Sequence, residues 1–137
     1  MNILCTICAR KGSMEIKNKN IKNLFGKPLI LHTVDLACKI KIFNKIVVTS
    51  DSKKILNICK KKSNLLIHRP KRLSNNSISK IQVIKHALKY SEKKFKTNFD
   101  TICDLDVTSP LRLKSDVYKA FKIFKRKKPD NLISVNE

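Results

Sequence analysis

Residues 3–21 read ILCTICARKGSMEIKNKNI, and the fold turns on how this stretch divides. The first six residues are apolar with a β-branched bias, which predicts a buried strand over residues 2–9. The strand gives way to a loop around a single glycine. Arg10, Lys11, Lys17 and Lys19, with Lys22 just beyond, crowd positive charge between that strand and the first helical pattern. Two readings compete: a solvated basic loop, and an anion site in which Gly12 and Ser13 offer backbone N–H groups. In the second, Arg10, Lys17 and Lys19 add charge-assisted donors.

Outward from this stretch, apolar runs alternate with amphipathic ones. Strands are predicted at 45–50 (KIVVTS), 64–68 (NLLIH), 100–105 (DTICDL) and 131–135 (NLISV). Between them lie four helical stripes at i, i+3, i+4 spacing: Ile30, Val34, Ala37 and Cys38; Ile55, Ile58 and Cys59; Ile81, Ile84 and Leu88; Val117, Ala120, Phe121 and Phe124. Pro28 suits the start of the first helix, and Ser115 or Asp116 the cap of the fourth. Regular βα alternation predicts an α/β chain with a mostly parallel sheet in one unit over residues 1–137. In such sheets ligands sit beyond the carboxyl ends of the strands. That selects the loops Arg10 to Asn20, Ser50-Asp51, Arg69 to Ser79 and Asp106 to Arg112.

The net charge of +21 is the loudest feature of the composition. Five arginines (Arg10, Arg69, Arg72, Arg112 and Arg126) stand among the 31 cations, and the rest are lysines. Sequence-reading nucleic-acid binders add arginine forks and stacking aromatics, which this pattern lacks. No specific nucleic-acid partner is therefore expected. The runs at 60–62 and 125–128 fall at the ends of helical patterns, where cations favour the dipole and face water. No apolar run approaches the ~18 residues of a membrane span, and the N-terminus has no signal-peptide form. A cytoplasmic protein with no membrane partner is expected. An odd set of 5 cysteines argues against a disulfide framework, and Cys5 and Cys8 of the C-x-x-C point to opposite faces of a strand. His32, His68 and His86 form no catalytic spacing.

Taken together, four ordered blocks resemble the CMP-sugar synthetases, the acylneuraminate cytidylyltransferases with their legionaminate, pseudaminate and Kdo relatives. "ARKGSMEIKNKNI" followed by "GKPLI" is similar to that family's A-R-G-G-S-K-G-I-x-x-K-N-I and G-K-P-L-I. "KIVVTSDSKKI" resembles V-V-S-T-D-S-x-x-I, "RPKRLSNNSIS" resembles R-P-x-x-L-x-x-D-x-x-S, and "DLDVTSPLR" resembles L-x-P-T-S-P-L-R. The resemblance implies a three-layer αβα domain with a Rossmann-like sheet of the nucleotide-diphospho-sugar transferase (GT-A-like) type. It also implies that this chain is the N-terminal part of a longer protein.

The activity so implied is transfer of CMP from CTP to a nonulosonic acid, with pyrophosphate released and Mg²⁺ as cofactor. Arg10 and Lys19 would grip the triphosphate as catalytic residues, with Ala9, Gly12, Ser13 and Asn20 around the nucleotide. Arg69 and Ser79 would line the cytidine pocket. Thr108, Ser109 and Arg112 would border the sugar. Asp106, with Asp104 two residues before it, is the candidate metal ligand. In the longer relatives the remaining part supplies further metal aspartates, more of the sugar pocket and a dimer arm, so a homodimer is implied for a full-length form. The chain departs from the pattern at Lys11, Met14, Glu15, Asn76, Asp106 and Val107. Glu15 replaces a glycine, which predicts loop strain and weaker triphosphate binding. Met14, Glu15 and the early end keep open a nucleotide-binding remnant without turnover, and the charge alone keeps open a basic nucleic-acid-binding module.

Overall fold

The computed structural model describes residues 1–135. β1 (Ile3–Cys8) leads through the basic loop and a 3-10 turn at Lys19–Ile21 into a small hairpin, β2 (Asn23–Leu24) and β3 (Lys27–Pro28). Then come α1 (Leu29–Lys39), β4 (Lys45–Ser50), α2 (Lys53–Cys59) and β5 (Leu65–His68). A second 3-10 turn at Lys71–Leu73 precedes α3 (Lys80–Phe95), β6 (Thr101–Asp104) and α4 (Lys114–Lys127).

β5, β4, β1 and β6 form one parallel sheet in that order. Strand alternation divides the core into two layers. Cys5 and Ile7 of β1 and Ile46 and Val48 of β4 face α1, α2 and the start of α4, meeting Ile30, Val34, Ala37, Ile55, Leu56, Cys59 and Val117. Leu4, Val47 and Ile67 face the other way and pack on Ala87 of α3 and on Phe99. This is the three-layer αβα arrangement, with α3 the single helix among the described residues on its face.

The chain runs from β1 to β4 and β5 on one side, then returns under α3 to place β6 on β1's other side. The strand order therefore reverses between β1 and β6. In open α/β sheets such a switch point opens a crevice at the strands' carboxyl ends. Here those ends are Cys8 and Asp104.

Several sequence expectations need correction. Residues 131–135 form no strand and lie exposed, because they make no ladder with either edge of the sheet. The fully buried positions of α3 are Val83, Ala87 and Ser91; of the expected stripe, Ile84 and Leu88 are half-buried, with Leu88 packed on the Leu4–Val47–Ile67 cluster, and Ile81 is exposed. The Ser91 hydroxyl reaches the buried face by donating to the Ala87 carbonyl at 2.7 Å. In α1 the fourth buried position is Thr33 rather than Cys38. In α4 only Val117 is fully buried. Neither Ser115 nor Asp116 is the cap residue of α4. The Asp116 carboxylate lies inside the first turn and reaches back to accept the Leu113 N–H at 2.8 Å. Glu15 is not in the left-handed region, so the expected strain is absent there. Asn18 takes that conformation instead, at φ 54°, a role its short side chain tolerates.

Cys5 and Cys59 are buried, Cys8 and Cys103 half-buried, and Cys38 exposed. Burial, then the charge of Asp104, pushes the Cys8 thiol up to about 12 and that of Cys103 to about 11. Thiolates are the reactive form. A thiol-specific alkylating reagent at neutral pH should therefore modify Cys38 first and the other four only on denaturation, as read by intact mass and peptide mapping. Equal rates at Cys38 and Cys59 would contradict this packing.

Candidate functional site

The base of the basic loop is pinned to the sheet. Ala9 donates its N–H to the Thr49 carbonyl at 3.0 Å, and the Lys11 N–H reaches Asp51 Oδ1 at 2.8 Å. The Asn20 side chain donates to the Arg10 carbonyl at 2.9 Å, folding the far end of the loop back on its start. These ties aim Arg10 across the mouth of the crevice, where its Nη1 donates to Asn76 Oδ1 at 2.5 Å.

Two cavities share Arg10 as a wall. One, of about 260 Å³, is lined by Arg10, Lys11, Asn18, Asn20, Ile21, Ser52, Lys54 and Ile55. The other, of about 290 Å³, runs from Cys8 and Arg69 past Leu73, Asn75 and Asn76 to Ile78, Lys80 and Asp106. Each is lined by several cations and by side-chain amides. Such a lining suits a polyanion, and a single guanidinium between the two can address ligand groups in both.

Beyond β6, Asp106 organises the next loop. Its Oδ1 accepts the Thr108 N–H at 3.3 Å and the Thr108 hydroxyl at 3.1 Å. Its backbone carbonyl accepts from Arg112 Nη2 at 3.5 Å. Lys80 reaches over from the first turn of α3 to Asp104 Oδ2 at 2.7 Å and Asp106 Oδ2 at 3.1 Å. Burial works against the Lys80 ammonium, but the hydrogen bond and field of Asp104, then those of Asp106, raise its pKa. Burial likewise works against the Asp106 carboxylate, and Lys80 and the Thr108 contacts outweigh it and hold the pKa low.

The structure gathers some of the expected residues and disperses others. Arg10, Asn20, Arg69 and Asp106 line the cavities. Arg69 is only 6% exposed, and its Nη groups are engaged by the carbonyls of Leu73 and Thr49, at 3.3 and 3.2 Å. Its Nε is left without a partner. The Ala9 side chain belongs to the core. Gly12 has open space where a Cβ would stand and no positive φ, so nothing in its surroundings demands a glycine. Ser13 Oγ accepts the Ile16 N–H at 3.4 Å within the loop. Lys19 is half-buried at the 3-10 turn and lines neither cavity. Ser79 is the cap of α3, in a reciprocal box with Gln82. Thr108 and Ser109 face solvent, and Arg112 keeps a buried Nη1 without a partner.

Sequence reading missed Lys80. A signal existed: a lysine opening a helix opposes the helix dipole unless a carboxylate meets it. It also missed the Arg10–Asn76 bond, which joins loops 66 residues apart.

Among the described residues no helix is long and apolar enough to cross a membrane. The chain is 41% identical over 133 residues to post-translational flagellin modification protein B of Campylobacter coli, covering 96% of this chain and 57% of that protein. It is 39% identical over 109 residues to the CMP-N,N'-diacetyllegionaminic acid synthase of Campylobacter jejuni, covering 79% of this chain and 46% of that one. The chain thus spans about half the length of these curated relatives. Among solved structures, a CMP:2-keto-3-deoxy-manno-octonic acid synthetase complexed with CTP has the same fold, with a TM-score of 0.75 at 18% identity, over 93% of this chain and 49% of that one. The sequence model of the cytidylyltransferase family matches residues 4–136, nearly the whole chain, and with the strand order and the basic loop after β1 this settles its place: the chain belongs to the cytidylyltransferase family.

Proposed function

We propose that this chain carries the nucleotide side of a cytidylyl transfer from CTP to a nonulosonic, sialic-acid-like sugar, with release of pyrophosphate. The observation that carries the reading is Arg10, held at the switch point between two cation-lined cavities. The names of the relatives, a CMP-legionaminic acid synthase among them, support the substrate class.

In this reading a sugar hydroxyl oxygen attacks the α-phosphorus of CTP. The bond from that phosphorus to the bridging oxygen breaks, pyrophosphate leaves with the bonding pair, and the hydroxyl proton passes to solvent. Arg10 offers a two-pronged fork to the phosphates and Lys19 a point charge from the end of the loop. Backbone groups of Ala9, Gly12 and Ser13, with Asn20, would frame the phosphate chain. Arg69 would line the cytidine side from the second cavity, and Ser79 fixes the adjoining turn. Thr108, Ser109 and Arg112 would border the sugar.

The donor set at Asp104 and Asp106 fits Mg²⁺, which takes one or two carboxylates together with substrate phosphates. Both Oδ2 atoms already converge on one cationic point, the Lys80 ammonium. When bound, Mg²⁺ would neutralise phosphate charge and steady the leaving pyrophosphate. A homodimer of the full-length form and a cytoplasmic setting complete the proposal. No specific nucleic-acid partner is part of it.

A second reading, nucleotide binding without turnover, is favoured by Met14 and Glu15, which stand exposed where the family pattern has a cation and a glycine. A melting series separates the outcomes. CTP should raise the melting temperature more than CMP, and ATP should do little. A ligand at 100 times its Kd adds about 2.7 kcal/mol. Met14→Lys with Glu15→Gly should enlarge the CTP shift. No shift with any nucleotide, in either protein, would reduce the basic stretch to a solvated loop. Pyrophosphate release then distinguishes turnover from binding alone.

A further inference from the structure

Lys80 is the first residue of α3, a position where a cation works against the helix dipole. It is held there by its two contacts, 2.7 Å to Asp104 Oδ2 and 3.1 Å to Asp106 Oδ2. The other oxygen of each carboxylate is fixed by the protein. Asp104 Oδ1 accepts from the Thr6 hydroxyl at 2.8 Å and from the Cys8 thiol at 3.6 Å. Asp106 Oδ1 accepts from the N–H and hydroxyl of Thr108. Both Oδ2 atoms are thus aligned on a single point, and that point is taken by the chain's own cation. Arg69, whose buried Nε has no partner, lines the same cavity.

We propose that the Lys80 ammonium is a built-in counter-cation that occupies the point between Asp104 and Asp106 and keeps a divalent cation out of the cleft until nucleotide binds. The inference rests on the assignment of Asp106 to the metal, and deepens it. Two carboxylates and one ammonium leave one negative charge at the site. A divalent ion entering beside the ammonium meets a like charge at contact distance, so it must displace Lys80 or be excluded. The phosphate chain of a nucleotide offers Lys80 another anion within the same cavity. Lys80 thereby makes metal uptake follow the nucleotide and suppresses binding of metal alone. It is a positioning residue, acting through the two carboxylates.

The test uses the intact chain and Mn²⁺, which shares the oxygen-ligand preference and is read by electron paramagnetic resonance without nucleotide. Lys80→Met should bind Mn²⁺ at least tenfold more tightly than the wild type. Lys80→Arg, which keeps the charge, should stay within twofold of the wild type. Adding Asp106→Asn to Lys80→Met should erase the gain. The Lys80 side chain is 43% exposed, so the core is untouched, and melting curves verify folding. A Lys80→Met protein whose Mn²⁺ affinity stays within twofold of the wild type would overturn the proposal, as would a Lys80→Arg protein that gains as much as Lys80→Met. The metal assignment has its own readout, the Mg²⁺ dependence of the CTP melting shift in wild type and Asp106→Asn. Loss of that dependence in Asp106→Asn, with no gain in Lys80→Met, would retain the assignment and remove only the counter-cation.

Discussion

On the proposed reading, Arg10→Ala is expected to abolish the CTP-dependent rise in melting temperature and, in a full-length form, to lower pyrophosphate release by about 10²–10³-fold. Removing one preorganised donor from a developing or transferred charge costs about 2.7–4 kcal/mol of barrier. Loss of a hydrogen bond to a charged group costs about 1.5–3 kcal/mol of binding, or roughly one to two decades in affinity. The fold should survive. Arg10 is half-buried, and the loop is held by the Ala9 and Lys11 backbone bonds and by Asn20, none of which needs the guanidinium. Lys19→Ala is the internal comparison. Lys19 lines neither cavity, so its loss should weaken CTP binding less than the loss of Arg10 does. A normal CTP shift and normal turnover in Arg10→Ala would remove the residue from the chemistry and leave the cleft without its central donor.

How much of this was legible from residues alone depends on how local the cause is. β4 matches KIVVTS residue for residue, because β-branched density and a Ser-Asp-Ser turn define where it ends. Ser52 then caps α2 through the Ile55 N–H. Elements that need a distant partner were harder. NLISV has strand composition, but composition cannot supply the neighbour that a ladder needs, and residues 131–135 stay unpaired. In α3, periodicity gave a helix but not which stripe faces the sheet. Val83, Ala87 and Ser91 are its fully buried positions, Leu88 is half-buried against the Leu4–Val47 cluster, and Ile81 is exposed. At the site, the basic loop and Arg10 were readable because they are contiguous with β1. The Lys80–Asp104–Asp106 cluster was not, since it joins residues 24 and 26 positions apart across the switch point. The strand order decides that meeting, and no window of sequence contains it.

The sheet itself makes the second large prediction. Leu4 sits on the central strand, fully buried, with Val47, Ile67, Ala87 and Phe99 around it. Leu4→Ala should destabilise the chain by about 2.7–5.0 kcal/mol, the transfer loss plus the residual cavity. Domains of this kind hold only about 5–15 kcal/mol in total. The charge of +21 subtracts from that through self-repulsion, so the variant should be close to unfolding at low salt and recover partly as salt is raised. Leu111→Ala is the control: that side chain is exposed, and its loss should stay within about 0.5 kcal/mol. Urea unfolding followed by circular dichroism gives both values, with the midpoint falling at unchanged slope for Leu4→Ala. The effect reaches the site as well. α3 is anchored to the sheet through this cluster, and its first residue is Lys80. A loosened α3 no longer holds the ammonium on Asp104 and Asp106, so Leu4→Ala at a temperature where it is still folded should bind Mn²⁺ more readily than wild type. A loss of stability below about 1 kcal/mol would mean that the α3 face collapses around the cavity, and that the helix is not fixed by the packing described.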